Sequence, residues 1–139
     1  MKLVIHITDK NHLSILWVSP TMMRHTHISL GKDPKQRMAK LLDLFNDTDI
    51  TRIVYNEIGP NEADKFEKTM LVQQIIKIAQ SHIKPIDIKQ YLLSKAENYC
   101  AGLNLNQKYP FYPQCLSIYD SFWDGYLSEK LKIKNQNKA

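Results

Sequence analysis

The residues of this chain best suited to chemistry are four carboxylates. Asp120 and Asp124 stand one helical turn apart in Leu116-Ser117-Ile118-Tyr119-Asp120-Ser121-Phe122-Trp123-Asp124. On a wheel of 100° per residue with Leu116 at zero, Tyr119, Trp123 and Leu127 mark an apolar stripe; Asp120 falls inside it at about 40° and Asp124 on its edge at about 80°. A carboxylate facing a core needs a cation, a metal or hydrogen-bond donors beside it. The pair at i, i+4 can reach one metal; alternatively, Asp120 caps backbone amides and Asp124 is solvated. Glu57 ends the run Arg52-Ile53-Val54-Tyr55-Asn56-Glu57. Open α/β sheets place their sites at the carboxyl ends of parallel strands, so Glu57 is either a site residue or a solvated strand-end acid. Asp9, in Asp9-Lys10-Asn11, has the chemistry of a turn former.

Other reactive side chains give weaker patterns. His6, His12, His25, His27 and His82 lack zinc-ligand spacing, and Cys100 and Cys115 do not complete one. His25 and His27 share one face of a strand and read as surface residues. No serine has a nucleophile-elbow context, and there is no phosphate-cradling glycine loop. The loop from Asn104 to Pro113 mixes base and aromatics in Lys108, Tyr109, Phe111 and Tyr112. Such side chains either stack on bases and pair with phosphate or pack down on the domain. Lys84, Lys89 and Lys95 would extend a basic surface past the fifth strand.

The elements that must position these groups follow from periodicity. Lys2 to Thr8 is β-branched and apolar, a strand buried on both faces. Asp9-Lys10-Asn11 turns it into a second strand, His12 to Val18, and His25 to Leu30 alternates as a third, shorter edge strand. Asp33 as N-cap and Pro34 at N1 start an amphipathic helix to Asn46, carrying Met38, Leu41, Leu42 and Phe45. Thr51 to Ile58 is a fourth strand. A long helix runs from Asn61 to Ile83, a fifth strand from Lys84 to Ile88, and a helix from Tyr91 to Ala101 stops at Gly102. The last helix spans Leu116 to Leu131. Strands joined through helices are parallel and those joined by tight turns antiparallel. The result is a five-stranded mixed α/β sheet, a three-strand meander plus two parallel strands, with helices on both faces.

The chain has 139 residues, 43% of them apolar, with 4 glycines and 6 prolines. This bounds a single domain over residues 1–131 with a polar, flexible tail over 132–139, and excludes a disordered chain. The net charge of +5 favours a polyanionic partner, although no arginine-rich strip is present. Met1 to Ile7 is too short for a signal peptide, and no apolar run approaches the ~20 residues of a membrane span. A reduced, cytoplasmic setting is expected, with Cys100 and Cys115 as packing residues rather than a disulfide.

The element order resembles that of the ribonuclease H-like superfamily, which includes Holliday-junction resolvases of the RuvC type, and it resembles a small uncharacterised bacterial family of that fold. Three segments carry the resemblance: Leu3-Val4-Ile5-His6-Ile7 with Ile15-Leu16-Trp17-Val18; Arg52 to Glu57; and Ile86-Asp87-Ile88-Lys89-Gln90-Tyr91-Leu92. The resemblance implies a metal-dependent nuclease acting on branched or structured DNA or RNA. In that case carboxylates from the first strand, the fourth strand and the last helix hold two Mg²⁺ (or Mn²⁺) ions about 4 Å apart. Carried onto this chain, Glu57 takes the fourth-strand position and Asp120 with Asp124 the last-helix position. The first strand departs from the pattern: the position of His6 or Ile7 holds no acid, and Asp9 is the nearest. This departure motivates the alternative, a non-catalytic nucleic-acid-binding or protein-interaction module on the same fold. The aromatic-rich stretch from Tyr109 to Tyr126 could also serve a homodimer.

Overall fold

A computed structural model describes residues 1–46, 49–82 and 86–136, with backbone alone at 127, 131 and 133–136. The β-branched opening becomes the central strand. β1 (Lys2–Asp9) turns into β2 (His12–Val18), and β3 (Met23–Ser29) completes an antiparallel meander. Asp9 makes the turn, its carboxylate accepting the Asn11 N–H at 2.7 Å. β4 (Arg52–Asn56) lies parallel to β1, and β5 (Asp87–Tyr91) lies parallel to β4. The sheet order is β3-β2-β1-β4-β5, the five-stranded mixed sheet expected from the pattern.

Alternation along the strands divides the core in two. Leu3, Ile5, Ile7 and Ile53 pack under α1 (Pro34–Asp43) and α2 (Lys65–His82), against Leu41, Leu71 and Ile75. Val4, Leu16 and Val54 face α3 (Leu93–Gly102) and α4 (Tyr112–Gln136), against Ala96, Cys100 and Leu116. Asp33 caps α1 by accepting the Lys35 N–H, with Pro34 in the first turn. Among the described residues no helix is long and apolar enough to cross a membrane.

Several boundaries differ from expectation, four of them for a clear local reason. β3 begins two residues early, at Met23, because it pairs as far as Val18. α2 starts at Lys65 rather than Asn61; Asp64, at φ 54°, offers its carbonyl to the Lys68 N–H and opens the helix. β5 lies three residues later than expected, where Asp87 aligns with Arg52 and Tyr91 with Asn56. Lys84 and Pro85 of the expected span lie outside the described residues. α4 starts at Tyr112 instead of Leu116, because Pro113 sits in a first turn that needs no amide from it. The helix then continues to Gln136, past the expected end at Leu131.

Candidate functional site

The carboxyl ends of β1 and β4 form the rim where this sheet would place a site. His6 pairs with Ser14, and Ser14 with His27. Ile5 pairs with Tyr55, so His6 and Asn56 stand next in line. All four side chains belong to the face covered by α3 and α4. His6 and Asn56 are buried. Asn56 accepts the Ile7 N–H at 3.0 Å through its side-chain oxygen. Ser14 Oγ lies 2.7 Å from His25 Nε2. The Tyr112 ring sits 4.7 Å from His6, and Phe111 stacks on His25 at 4.8 Å and 21°. Both aromatics keep nearly half their surface in solvent, 46% for Phe111 and 45% for Tyr112. On the face under α3 and α4 the rim therefore offers imidazole, amide, hydroxyl and exposed ring.

Beside it stands one ion pair. Glu62 accepts the Gly59 N–H and meets the buried Lys68 ammonium at 3.2 Å. Burial would raise the Glu62 carboxyl, but the Gly59 N–H, Lys68 and His6 together hold it below the usual carboxylate range. His6 itself is pushed down to about 4, mainly by burial; the opposing Glu62 and Lys68 charges follow. An imidazole this low stays neutral in the fold while the unfolded chain protonates near 6.5, so the unfolded state binds more protons between the two values. Stability is full above pH 6.5 and falls as pH drops toward 4, by about 2 kcal/mol at pH 5. Thermal melts should show Tm dropping on the order of 5 °C from pH 7 to pH 5, with a flatter dependence in His6→Gln. A wild-type melt that is flat over this window would remove His6 from the core.

The acids singled out by the sequence do not gather at this rim. Asp120 is fully buried, yet it lies at the other end of the sheet, in a salt bridge to Lys2. The Tyr91 hydroxyl donates to it at 2.6 Å and the Arg52 guanidinium at 3.2 Å. Asp124 joins the same cluster through Arg52 and through Lys89 at 3.0 Å. Arg52 also binds Asp87 at 2.7 Å. Burial would raise both aspartates, but the donors win: Lys2, Tyr91 and Arg52 hold Asp120 low, and Lys89 and Arg52 hold Asp124 low. The same contacts outweigh burial for Arg52 and raise its guanidinium above its ordinary value. Tyr91 is raised by burial first, then by its bond to Asp120.

The displacement has a simple geometric cause. α4 runs antiparallel to β1, with Tyr112 over His6 at one end and Asp120 against Lys2 at the other. Eight residues of helix carry Asp120 about 12 Å along the axis from Tyr112. A rim carboxylate would have to come from the first turn, which reads Tyr112-Pro113-Gln114-Cys115-Leu116. Glu57 is exposed just beyond β4, its N–H donating to the Tyr91 carbonyl, while the residue level with His6 is Asn56. Asp120 and Asp124 share Arg52, and about 17 Å of extended chain separates Arg52 from Glu57. Asp9 is held at the hairpin by Asn11 and by His12 Nδ1 at 2.8 Å.

The expected nucleic-acid contacts divide as well. Lys89 is committed to Asp124, and Lys84 lies outside the described residues. Lys95 is exposed on α3. Lys108 is exposed with its ammonium 5.3 Å over the Tyr109 ring, two residues before the Phe111-Tyr112 pair.

A pair of Mg²⁺ or Mn²⁺ ions needs several unpaired oxygen anions converging. The donors present do not fit that demand: level with each other the rim offers His6 and Asn56, Glu57 stands exposed beyond them, Glu62 is paired with Lys68, and the buried Asp120 carboxylate is paired with Lys2 and Arg52. Among the described residues no three His, Cys, Asp or Glu side chains are arranged to hold a metal.

No protein-family model matches this chain, and no curated protein matches it. Solved structures do. T. thermophilus RuvC in complex with a Holliday junction substrate aligns over 70% of this chain and 67% of its own, with 11% identity and a TM-score of 0.55. A Thermus thermophilus RuvC structure aligns over 73% and 69%, with 14% identity and a TM-score of 0.53. Five strands in the order β3-β2-β1-β4-β5, helices on both faces and these alignments together establish a ribonuclease H-like fold of the RuvC type.

Proposed function

We propose that this chain binds structured nucleic acid without cutting it, using the carboxyl rim of the sheet as the recognition surface. The observation that carries the reading is the exchange of residue types along the fold. Uncharged His6, Asn56 and Tyr112 hold the rim, while the buried acid of α4 is locked into the Lys2–Arg52–Lys89 cluster at the far end. A ligand at the rim meets exposed Phe111 and Tyr112 rings, on which an unpaired base can stack. Lys108 adds a charge nearby, and the chain as a whole carries +5. A four-way junction is the first substrate to try, because the RuvC structure of like fold was solved with one. Hydrolysis in the RuvC manner would require Asp120 to leave three cationic partners and cross to the other rim.

Fluorescence anisotropy with a labelled four-way DNA junction and the matching duplex tests this. The junction is expected to bind more tightly than the duplex, with log K falling linearly against log salt as counterions are released. An absence of saturable binding to either one at low salt would defeat the proposal.

A further inference from the structure

We infer that Cys100 and Cys115 are a latent disulfide, formed when the protein meets a peroxide and tying the last turns of α3 to the first turn of α4. They are the only two cysteines in the sequence. Read along the chain they look isolated, yet the α3–α4 packing brings them together. Both are free thiols, 0% and 4% exposed. The Cys100 thiol donates toward the Cys115 carbonyl oxygen at 4.0 Å, which sets it against the first turn of α4. Cys115 also donates to the Tyr109 carbonyl at 3.5 Å.

Access is unequal. A cavity of about 340 Å³, bounded by Glu97, Asn98, Asn106 and Tyr109, reaches Cys115. Cys100 stays behind it in the Val4–Leu16–Ala96 core. Cys115 is therefore attacked first and Cys100 resolves it. The Cys115 sulfur attacks a peroxide oxygen, the O–O bond breaks, and water leaves with the thiol proton, giving a sulfenic acid. The Cys100 sulfur then attacks the Cys115 sulfur; the S–O bond breaks, and the Cys100 proton leaves with a second water. Two thiols are oxidised by two electrons and one hydrogen peroxide is reduced. Burial, with the Cys100 thiol and the Glu97 charge behind it, pushes the Cys115 thiol up to about 12. The pair is thus slow to react at neutral pH and faster as pH rises.

The test treats the full chain with hydrogen peroxide at rising pH, followed by thiol counting after denaturation and peptide mass mapping. Sulfoxide at the exposed Met22 and Met23 reports that oxidant was delivered. Wild type is expected to lose both thiols in step, yielding a Cys100–Cys115 peptide pair two hydrogens lighter, faster at higher pH. Cys100→Ser should instead accumulate oxygen adducts on Cys115. The oxidised chain should melt on the order of 5–10 °C above the reduced wild-type chain, and added reductant should abolish the difference. Methionine sulfoxide with both thiols intact would overturn the inference. So would oxygen adducts or chain-to-chain disulfides in wild type, or an oxidised form that melts no higher than the reduced chain.

Discussion

Asp120→Asn is expected to be among the most damaging single substitutions in this protein, lowering stability by about 3–5 kcal/mol. The wild-type carboxylate is fully buried and receives Lys2, Arg52 and the Tyr91 hydroxyl. Its charge balances cations that are themselves largely withdrawn from water: the Lys2 side chain is 18% exposed and Arg52 21%. An amide keeps the size but removes the charge, leaving Lys2, Arg52 and the more distant Lys89 without their central partner. Asp124→Asn should cost less, about 1 kcal/mol, because that side chain is 38% exposed and solvent screens it. Urea unfolding of the two variants gives the comparison. Equal midpoints for Asp120→Asn and wild type would mean that the cluster does not hold α4 to the sheet.

The second large effect is on binding. Replacing Phe111 and Tyr112 together by alanine is expected to weaken junction affinity about 10- to 100-fold, the worth of losing one stacked base. Both rings are half exposed, so the fold should survive, and a circular dichroism melt checks that. The salt dependence should not change, because no phosphate contact is removed. Lys108→Ala should do the reverse: a modest loss of affinity, with the salt slope reduced by about one. If the double alanine variant binds as wild type, stacking at the rim plays no part.

Much of the architecture is legible in local signals. The Asp9-Lys10-Asn11 turn, the Asp33-Pro34 cap and the β-branched runs of β1 and β4 each announce their element, and the mixed parallel and antiparallel character of the sheet follows from which strands a helix or a tight turn joins. What is not legible turns on register and distance. Asn56 and Glu57 are neighbours in sequence, and a one-residue choice decides which of them stands level with His6. The resemblance favoured the acid, and the ladder placed the amide there. Pro113 read as a loop residue because its role in a first helical turn cannot be told from a break. That hid the start of α4 and with it the distance of Asp120 from the rim.

The need for a partner beside Asp120 could be seen from its place in the apolar stripe. The identity of that partner could not, because Lys2 comes from the opposite end of the chain and Arg52 from the middle. The Glu62–Lys68 pair left no sequence signal at all, since neither residue lies in a periodic pattern that separates it from a solvated surface charge. His6 did leave one: it alternates with Val4 on the inner face of β1, where an imidazole is conspicuous among aliphatic neighbours.

The proposal that the chain binds without cutting is tested most directly by turnover in the bound state. With protein in excess over a labelled four-way junction at low salt, and millimolar Mg²⁺ or Mn²⁺ present, the junction should be fully bound and its strands should remain intact for hours. Cleavage that requires the divalent ion and disappears in Glu57→Gln would contradict this, because it would mean that the carboxylates of this chain still converge on a metal.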